Sequence, residues 1–343
     1  ARSPQTNGNE RAYGMIDIYT HIFPEKFFDV LTKTSPKLGN IGGRLRKVPA
    51  LFDLDLRFRH MDAAGDGYQQ IISLPNPPLE DVANEADARM LAAAANDMMA
   101  EICEKHRDRF PAFAAAISLH DVPTALEEID RAINTLGAKG IQTFTNIAGQ
   151  PLDLPKFEPV FRKMAEHDLP IWIHPARTAA DMTDYKSEKV SRYEMWWCFG
   201  WPYETSVAMC RIVFAGLYDK YPNLNIITHH CGGMIPYYDG RVGPGLDVLG
   251  ERTMDEDYSN VLPSLKKPHM EYFHNFYGDT AMFGAATGLH TGLKFFGAEH
   301  VVFSTDAPLG PIKETIAAVE SLGMSKEDFS KVMRGNAERI LKL

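Results

Sequence analysis

The chain has 343 residues, 45% of them hydrophobic and 24% charged, enough apolar material for a large buried core. Its formal net charge of −9 argues against a nucleic-acid partner, and no apolar run approaches the ~20 residues of a membrane span. The four cysteines, Cys103, Cys198, Cys210 and Cys231, form no Cys-x-x-Cys pair and read as reduced thiols of a cytoplasmic protein.

Residues 1–14 are polar and lack the apolar stretch of a secretory signal. They are expected to be a disordered lead-in or an expression remnant ahead of a single domain, 15–343. Met15–Ile18 is an apolar run that predicts a buried strand. An irregular insertion follows from Phe23 to Leu51, with Gly39, Gly42 and Gly43 and the basic cluster Arg44, Arg46 and Lys47. A helical pattern from Asp53 to Ala64 leads to strand two, Tyr68–Leu74, stopped by Pro75-Asn76-Pro77-Pro78. Glu80 to His106 reads as one long helix, Ala112–Ile117 as strand three and Val122 to Leu136 as the next helix. Strand four is Gly140–Phe144, followed by a helix from Phe157 to His167, and strand five ends at His174. A long loop, Ala176 to Trp201, carries Trp196, Trp197 and Trp201, and a helix from Tyr203 to Leu217 comes after it. Strand six ends at His229, strand seven is Phe276–Gly278 and strand eight is Val301–Phe303, with two closing helices. Eight strand–helix units predict an α/β protein, a (β/α)8 barrel with an insertion after the first strand and a long loop after the fifth.

The chemistry-bearing residues gather at the ends of these strands, where such barrels build catalytic centres. Tyr19 and His21, two apart on one strand, share a face. In isolation that pair would more often be packing, and the remaining fragments are what lift His21 above it. A phenol ionises near pH ~10, so Tyr19 either loses its proton beside a metal or keeps it and hydrogen-bonds a metal-bound water. His174 is halted at a strand end by Pro175, and Asp306 follows Val301–Phe303, where alone it would serve equally well as a helix cap. His21, His174 and Asp306, with Tyr19 as a further candidate, make a nitrogen- and oxygen-donor set with open positions, as catalytic divalent ions have. Zn²⁺ is expected, with Mn²⁺ and Fe²⁺ as alternatives.

Adjacent strand histidines point to opposite faces, so His229 and His230 share a role only if the strand breaks, as Gly232-Gly233 suggests. His230 is then placed over the metal for proton transfer. His229 is either a further ligand or lies beneath the site. Asp279, at the end of strand seven, is expected to orient His229, and Asp279 and Asp306 stand with His230 as catalytic candidates. Trp196 and Trp197 form either an aromatic lid over a planar substrate or a subunit contact.

These fragments resemble the amidohydrolase-superfamily group of aminocarboxymuconate-semialdehyde decarboxylase and the γ-resorcylate-type decarboxylases. The matching pieces are Ile16–Pro24, Arg57–Asp62, Pro202–Thr205, His230–Gly233 through Pro236 to Arg241, Phe276–Asp279, Thr305–Pro308 and Gly335–Ala337. The resemblance implies His21, His174 and Asp306 as metal ligands and His230 as the histidine that acts on substrate. It also implies Arg241 as a carboxylate-binding residue reaching across a homodimer interface, and a further carboxylate-binding arginine near Arg44 and Arg46, with Arg46 the candidate. Tyr19 departs from the pattern, which has His or Glu there. A metal-dependent carboxy-lyase acting on an unsaturated or aromatic carboxylic acid is therefore expected. The same residues fit a hydrolase or hydratase using activated water. A third reading is a binding protein whose site decayed at Tyr19, against which the intact His21, His174, His230 and Asp306 weigh.

Overall fold

The computed structural model describes residues 14–35, 43–180 and 182–343. Residues 1–13 of the lead-in, and Gly39 and Gly42 of the insertion, lie outside the described residues. The strands are β1 Met15–His21, β2 Tyr68–Ser73, β3 Ala115–Ala116, β4 Ile141–Phe144, β5 Asn146–Ile147, β6 Gln150–Pro151, β7 Ile171–His174, β8 Ile226–Thr228, β9 Tyr277–Asp279 and β10 Val301–Val302. Strands β5 and β6 form a small antiparallel pair, and the other eight are parallel. Six of those run in the order β10-β9-β8-β7-β4-β3, with β1 paired to β2. A parallel bridge between Ile72 and Phe113 joins β2 to the segment leading into β3. On the other side, Ile18 N donates to Phe303 O at 2.9 Å, joining β1 to the segment after β10. This is the α/β architecture expected of the (β/α)8 class.

The register decides where the chemistry sits. Thr143 pairs with Ile173, Ile173 with Thr228, Thr228 with Gly278 and Gly278 with Val301. The residue after each of three members of that line, His174, His229 and Asp279, therefore emerges on one rim. His21 pairs with Ser73 at the matching end of β1. Beneath the rim, Ile16, Ile18, Ile71, Ala114, Trp172, Ile227, Tyr277 and Val302 fill the space between strands. The indole of Trp172 donates to Ile18 O at 3.0 Å, so this fully buried donor is satisfied.

Side-chain caps set several helix starts. Asp53 accepts from Leu56 N at 2.9 Å ahead of the helix Leu54–Asp62, and Asp121 accepts from Thr124 N at 3.1 Å ahead of Val122–Asn134. The pattern from Glu80 to His106 is two helices, Leu79–Val82 and Glu85–Lys105. Ala83 is extended between them and Asn84 caps the second through Asp87 N at 3.0 Å. The insertion after β1 is not irregular throughout: Glu25–Thr34 is a helix whose Phe27, Phe28 and Leu31 are buried, Phe27 stacking on Phe23 and Phe28 edge-on to Phe52. The helix after the long loop starts at Gly200 and ends at Phe214. Among the described residues, no helix is long and apolar enough to cross a membrane.

Candidate metal centre and active site

Four elements bring their side chains together at the rim. His21, at the end of β1, is fully buried, and its Nε2 lies 3.1 Å from Asp306 Oδ1. Its Nδ1 contacts Ser73 Oγ at 3.1 Å, which fixes the ring from behind. Arg57, also buried, grips the same strand end. It donates to His21 O at 2.5 Å, to Thr20 Oγ1 at 2.8 Å and to Gln70 Oε1 at 2.8 Å. His174, at the end of β7, has its Nδ1 against Pro175 O at 2.8 Å and the Asn76 amide at 3.0 Å, which turns Nε2 inward. Asp306 has φ 63°, a left-handed conformation costly for a residue with a Cβ and common at functional sites.

The break anticipated after His229 is real and sharp. His230 and Cys231 have φ of 54° and 57°, so the two imidazoles do not alternate across a strand. Instead they stack, with centroids 3.8 Å apart at 26°. Gly233, at φ 62°, sits where a Cβ would lie 2.4 Å from Pro202 O, so a side chain there would break the turn. Asp279 pairs with His229, Oδ2 to Nδ1 at 2.5 Å, and its Oδ1 accepts from Cys231 N at 3.2 Å and Ala281 N at 3.1 Å. His230 Nδ1 contacts Ala281 O at 2.7 Å.

Among the described residues, four buried polar atoms here have no hydrogen-bond partner: Tyr19 Oη, His21 Nε2, His229 Nε2 and Asp306 Oδ1. Leaving one such group unpaired costs ~1–3 kcal/mol, and the approach of His21 Nε2 and His229 Nε2 to Asp306 Oδ1, at 3.1 and 3.5 Å, fits a bound cation better than a folding defect. Among the described residues, His21, His174 and His229 offer ligand atoms within 4.8 Å of one another, and so do His229, His230 and Asp306. Borderline nitrogen donors with one carboxylate suit a divalent transition ion.

Protonation in the metal-free protein follows from burial and neighbours. Burial lowers His21, and burial with the adjacent His229 and His21 holds His174 well below its ordinary value. Burial opposes charge on His229 too, but the carboxylates of Asp279 and Asp306 outweigh it and raise its pKa to about 10. Burial likewise opposes the Asp306 carboxylate, yet His21 and His229 hold its pKa well below the usual range. Burial, then Asp279 and Asp306, push the Tyr19 phenol well above 10. His230 is pulled down to about 4, by burial and then by His229, leaving a neutral imidazole at pH 7.

Above these groups opens a cavity of about 890 Å³ whose lining includes His174, His230, Asp306, Trp196, Trp197 and Trp201. Trp201 stands edge-on to His174 at 5.5 Å and parallel to His230 at 6.3 Å and 9°. The long loop thus brings its tryptophans over the rim. Arg44 also lines the cavity, its guanidinium 5.6 Å from the Trp197 ring. Arg46 is not in that lining; it is exposed, with its guanidinium over Phe28 at 5.5 Å. Arg241 lies on the short helix Asp239–Val242, exposed and outside the lining. Sequence reasoning assigned no part to Ser73 or Asn76. The only signal was their place at and just past the end of strand two, the rim position that marks the other site residues.

Residues 16–343 match the amidohydrolase family model, and the chain belongs to that family. It is 32% identical over 307 residues to the γ-resorcylate decarboxylase of Rhizobium sp. (strain MTP-10005), covering 84% of this chain and 87% of that one. It is 25% identical to the 2-amino-3-carboxymuconate-6-semialdehyde decarboxylase of Dictyostelium discoideum, over 96% of this chain and 91% of that one. The 5-carboxyvanillate decarboxylase of Novosphingobium aromaticivorans, solved with manganese and 4-hydroxy-3-methoxy-5-nitrobenzoic acid, superposes with a TM-score of 0.83 at 27% identity, covering 98% of each chain. These relatives are decarboxylases, as the sequence resemblance implied.

Proposed function

We propose that this amidohydrolase-family chain is a metal-dependent carboxy-lyase that removes CO₂ from a hydroxylated aromatic carboxylic acid. The carrying observation is the convergence of orphaned His21, His229 and Asp306 atoms beside a cavity whose lining includes Asp306 and three indoles. His21, His174 and Asp306 are the assigned metal ligands, with the Tyr19 ring packed against the neighbouring imidazoles of His21, His174 and His229. When bound, the cation polarises a substrate oxygen as a Lewis acid. Zn²⁺ fits the nitrogen-rich donor set, and manganese is the ion in the 5-carboxyvanillate neighbour; metal analysis of the purified protein names the ion.

The remaining work falls to the chain's own groups. Trp196, Trp197 and Trp201 sandwich a planar ring and exclude water from it. His230, with Nδ1 donating to Ala281 O, presents Nε2 to the cavity as a proton acceptor. It takes up one proton from solvent before each turnover and delivers it to the ring carbon bearing the carboxylate, so that the reaction consumes one proton for each CO₂ released. A C–H bond forms there, the C–C bond breaks, its electron pair restores the aromatic ring, and CO₂ leaves. Arg44 is placed to hold a second anionic substituent at the mouth. Arg241, outside its own chain's cavity, is assigned to a substrate carboxylate in a second copy.

The test is a panel of ortho-hydroxybenzoic acids against amides and lactones on one metal-loaded preparation. CO₂ release from an acid with no hydrolysis supports the proposal; hydrolysis alone would replace it with the activated-water reading.

A further inference from the structure

We infer that His229 is itself a metal ligand, supplying from the end of β8 the donor that the Tyr19 phenol does not supply at β1. The inference rests on the metal centre proposed above and adds a residue to it.

Three features of the ring support it. Its Nε2 is buried without a hydrogen-bond partner and lies 3.5 Å from Asp306 Oδ1, the oxygen that His21 Nε2 approaches from the other side at 3.1 Å. Donors on one ion with bonds of ~2.0–2.1 Å sit about 3–4 Å apart, so this bracket is already close to ligand spacing. The opposite ring nitrogen, Nδ1, is held by the Asp279 carboxylate at 2.5 Å. A carboxylate behind the imidazole is the usual support of a ligating histidine, since it fixes the tautomer and makes the free nitrogen more basic. Asp279 is in turn anchored by two backbone N–H groups, from Cys231 and Ala281.

Tyr19 completes the argument. Its ring packs against His229 with centroids 4.3 Å apart, nearer than it comes to His21 at 5.3 Å or His174 at 6.0 Å. Its hydroxyl has no hydrogen-bond partner among the described residues to draw off the proton. It therefore acts as a wall that presses the His229 imidazole toward Asp306. His230, whose ligand atom also lies within 4.8 Å of those of His229 and Asp306, is partly open to the cavity, whereas His229 is fully buried and holds the inner position.

Counting imidazoles tests this without any variant. X-ray absorption of the Zn²⁺-loaded protein, or pulsed EPR of the Mn²⁺ form, should report three coordinated imidazoles; two would overturn the inference while leaving the metal centre intact. Titration adds an independent readout. His229→Asn should weaken metal binding by at least ~100-fold, beyond outer-shell losses, while Tyr19→Phe leaves the dissociation constant unchanged. In the double variant Tyr19→His/His229→Gly, affinity should return, because a β1 donor is restored as the β8 donor goes. Wild-type affinity in His229→Asn, or loss of metal in Tyr19→Phe alone, contradicts the assignment. A wild-type protein that binds no divalent ion would instead remove the metal centre, and with it this inference.

Discussion

His229 Nδ1 and Asp279 Oδ2 lie 2.5 Å apart with both side chains fully buried, and this contact joins β8 to β9 directly beneath the candidate metal centre. A charge pair so enclosed is costly to form and costlier to break, because removing one partner leaves the other buried and uncompensated. Its position makes it a support for the site rather than a free contribution to stability.

Asp279→Asn should therefore keep the shape and lose the charge. Metal affinity is expected to fall by ~10–100-fold, the range for carboxylates behind ligating histidines, with the fold retained by circular dichroism. Competition titration against a chelating dye measures it. Affinity equal to the parent's would mean Asp279 serves only the turn through Cys231 and Ala281.

His230→Ala should separate binding from chemistry. The ring touches the cavity but leaves the His21–His174–Asp306 group intact, so one ion per chain should remain while kcat falls by ~10²–10⁴-fold, the scale of lost acid–base catalysis. Undiminished turnover in that variant would remove the proton-transfer role.

A pH effect on stability is predicted at Asp17. Burial raises its pKa to about 7, against hydrogen bonds from Thr305 and Tyr68 and the charge of Arg57 that pull it down. In the unfolded chain the same group titrates near 3.8. Between those values the folded state holds a proton that the unfolded state has released, so this group's contribution is complete below about pH 4 and is lost as pH rises toward 7. Asp17→Asn should thus become more favourable relative to the parent at pH 8 than at pH 5, by urea denaturation. Parallel stability curves would show that Asp17 stays ionised in the fold.

Thiol reactivity should mark the cavity. Burial pushes Cys103, Cys210 and Cys231 up to about 12, whereas Cys198 is exposed and lines the cavity. One equivalent of iodoacetamide at pH 8 should label Cys198 first, and a bound hydroxybenzoate analogue should slow the labelling. Equal labelling of all four, or no protection, would put Cys198 away from the substrate path.

Much of this was legible in the chain itself, for identifiable reasons. Ile171-Trp172-Ile173-His174-Pro175 announces a buried strand that stops at a histidine, and the register then has little choice about where His174 emerges. Gly232-Gly233 announced a break, and Gly233 is confined by Pro202 O. What the break does to its neighbours was not legible. Alternation predicts opposed faces for His229 and His230, and only the left-handed φ at His230 and Cys231 stacks the two rings. The helix Glu25–Thr34 was hidden for a similar reason. Its apolar face is short and is completed by Phe23 and Phe52, residues outside the segment. The arginine cluster shows the same limit, since nothing local distinguishes Arg44, which reaches the cavity, from Arg46, which lies over Phe28.

The central claim is that one divalent ion, held at this rim, is required to release CO₂ from a hydroxylated aromatic acid. The most direct measurement strips the protein with a chelator, restores Mn²⁺ or Zn²⁺ in steps, and follows metal per chain and CO₂ release together, with His174→Ala as control. The account predicts no turnover in the stripped protein, recovery in proportion to occupancy up to one ion per chain, and neither metal nor turnover in His174→Ala. Full CO₂ release by the stripped protein, or by His174→Ala, would contradict it.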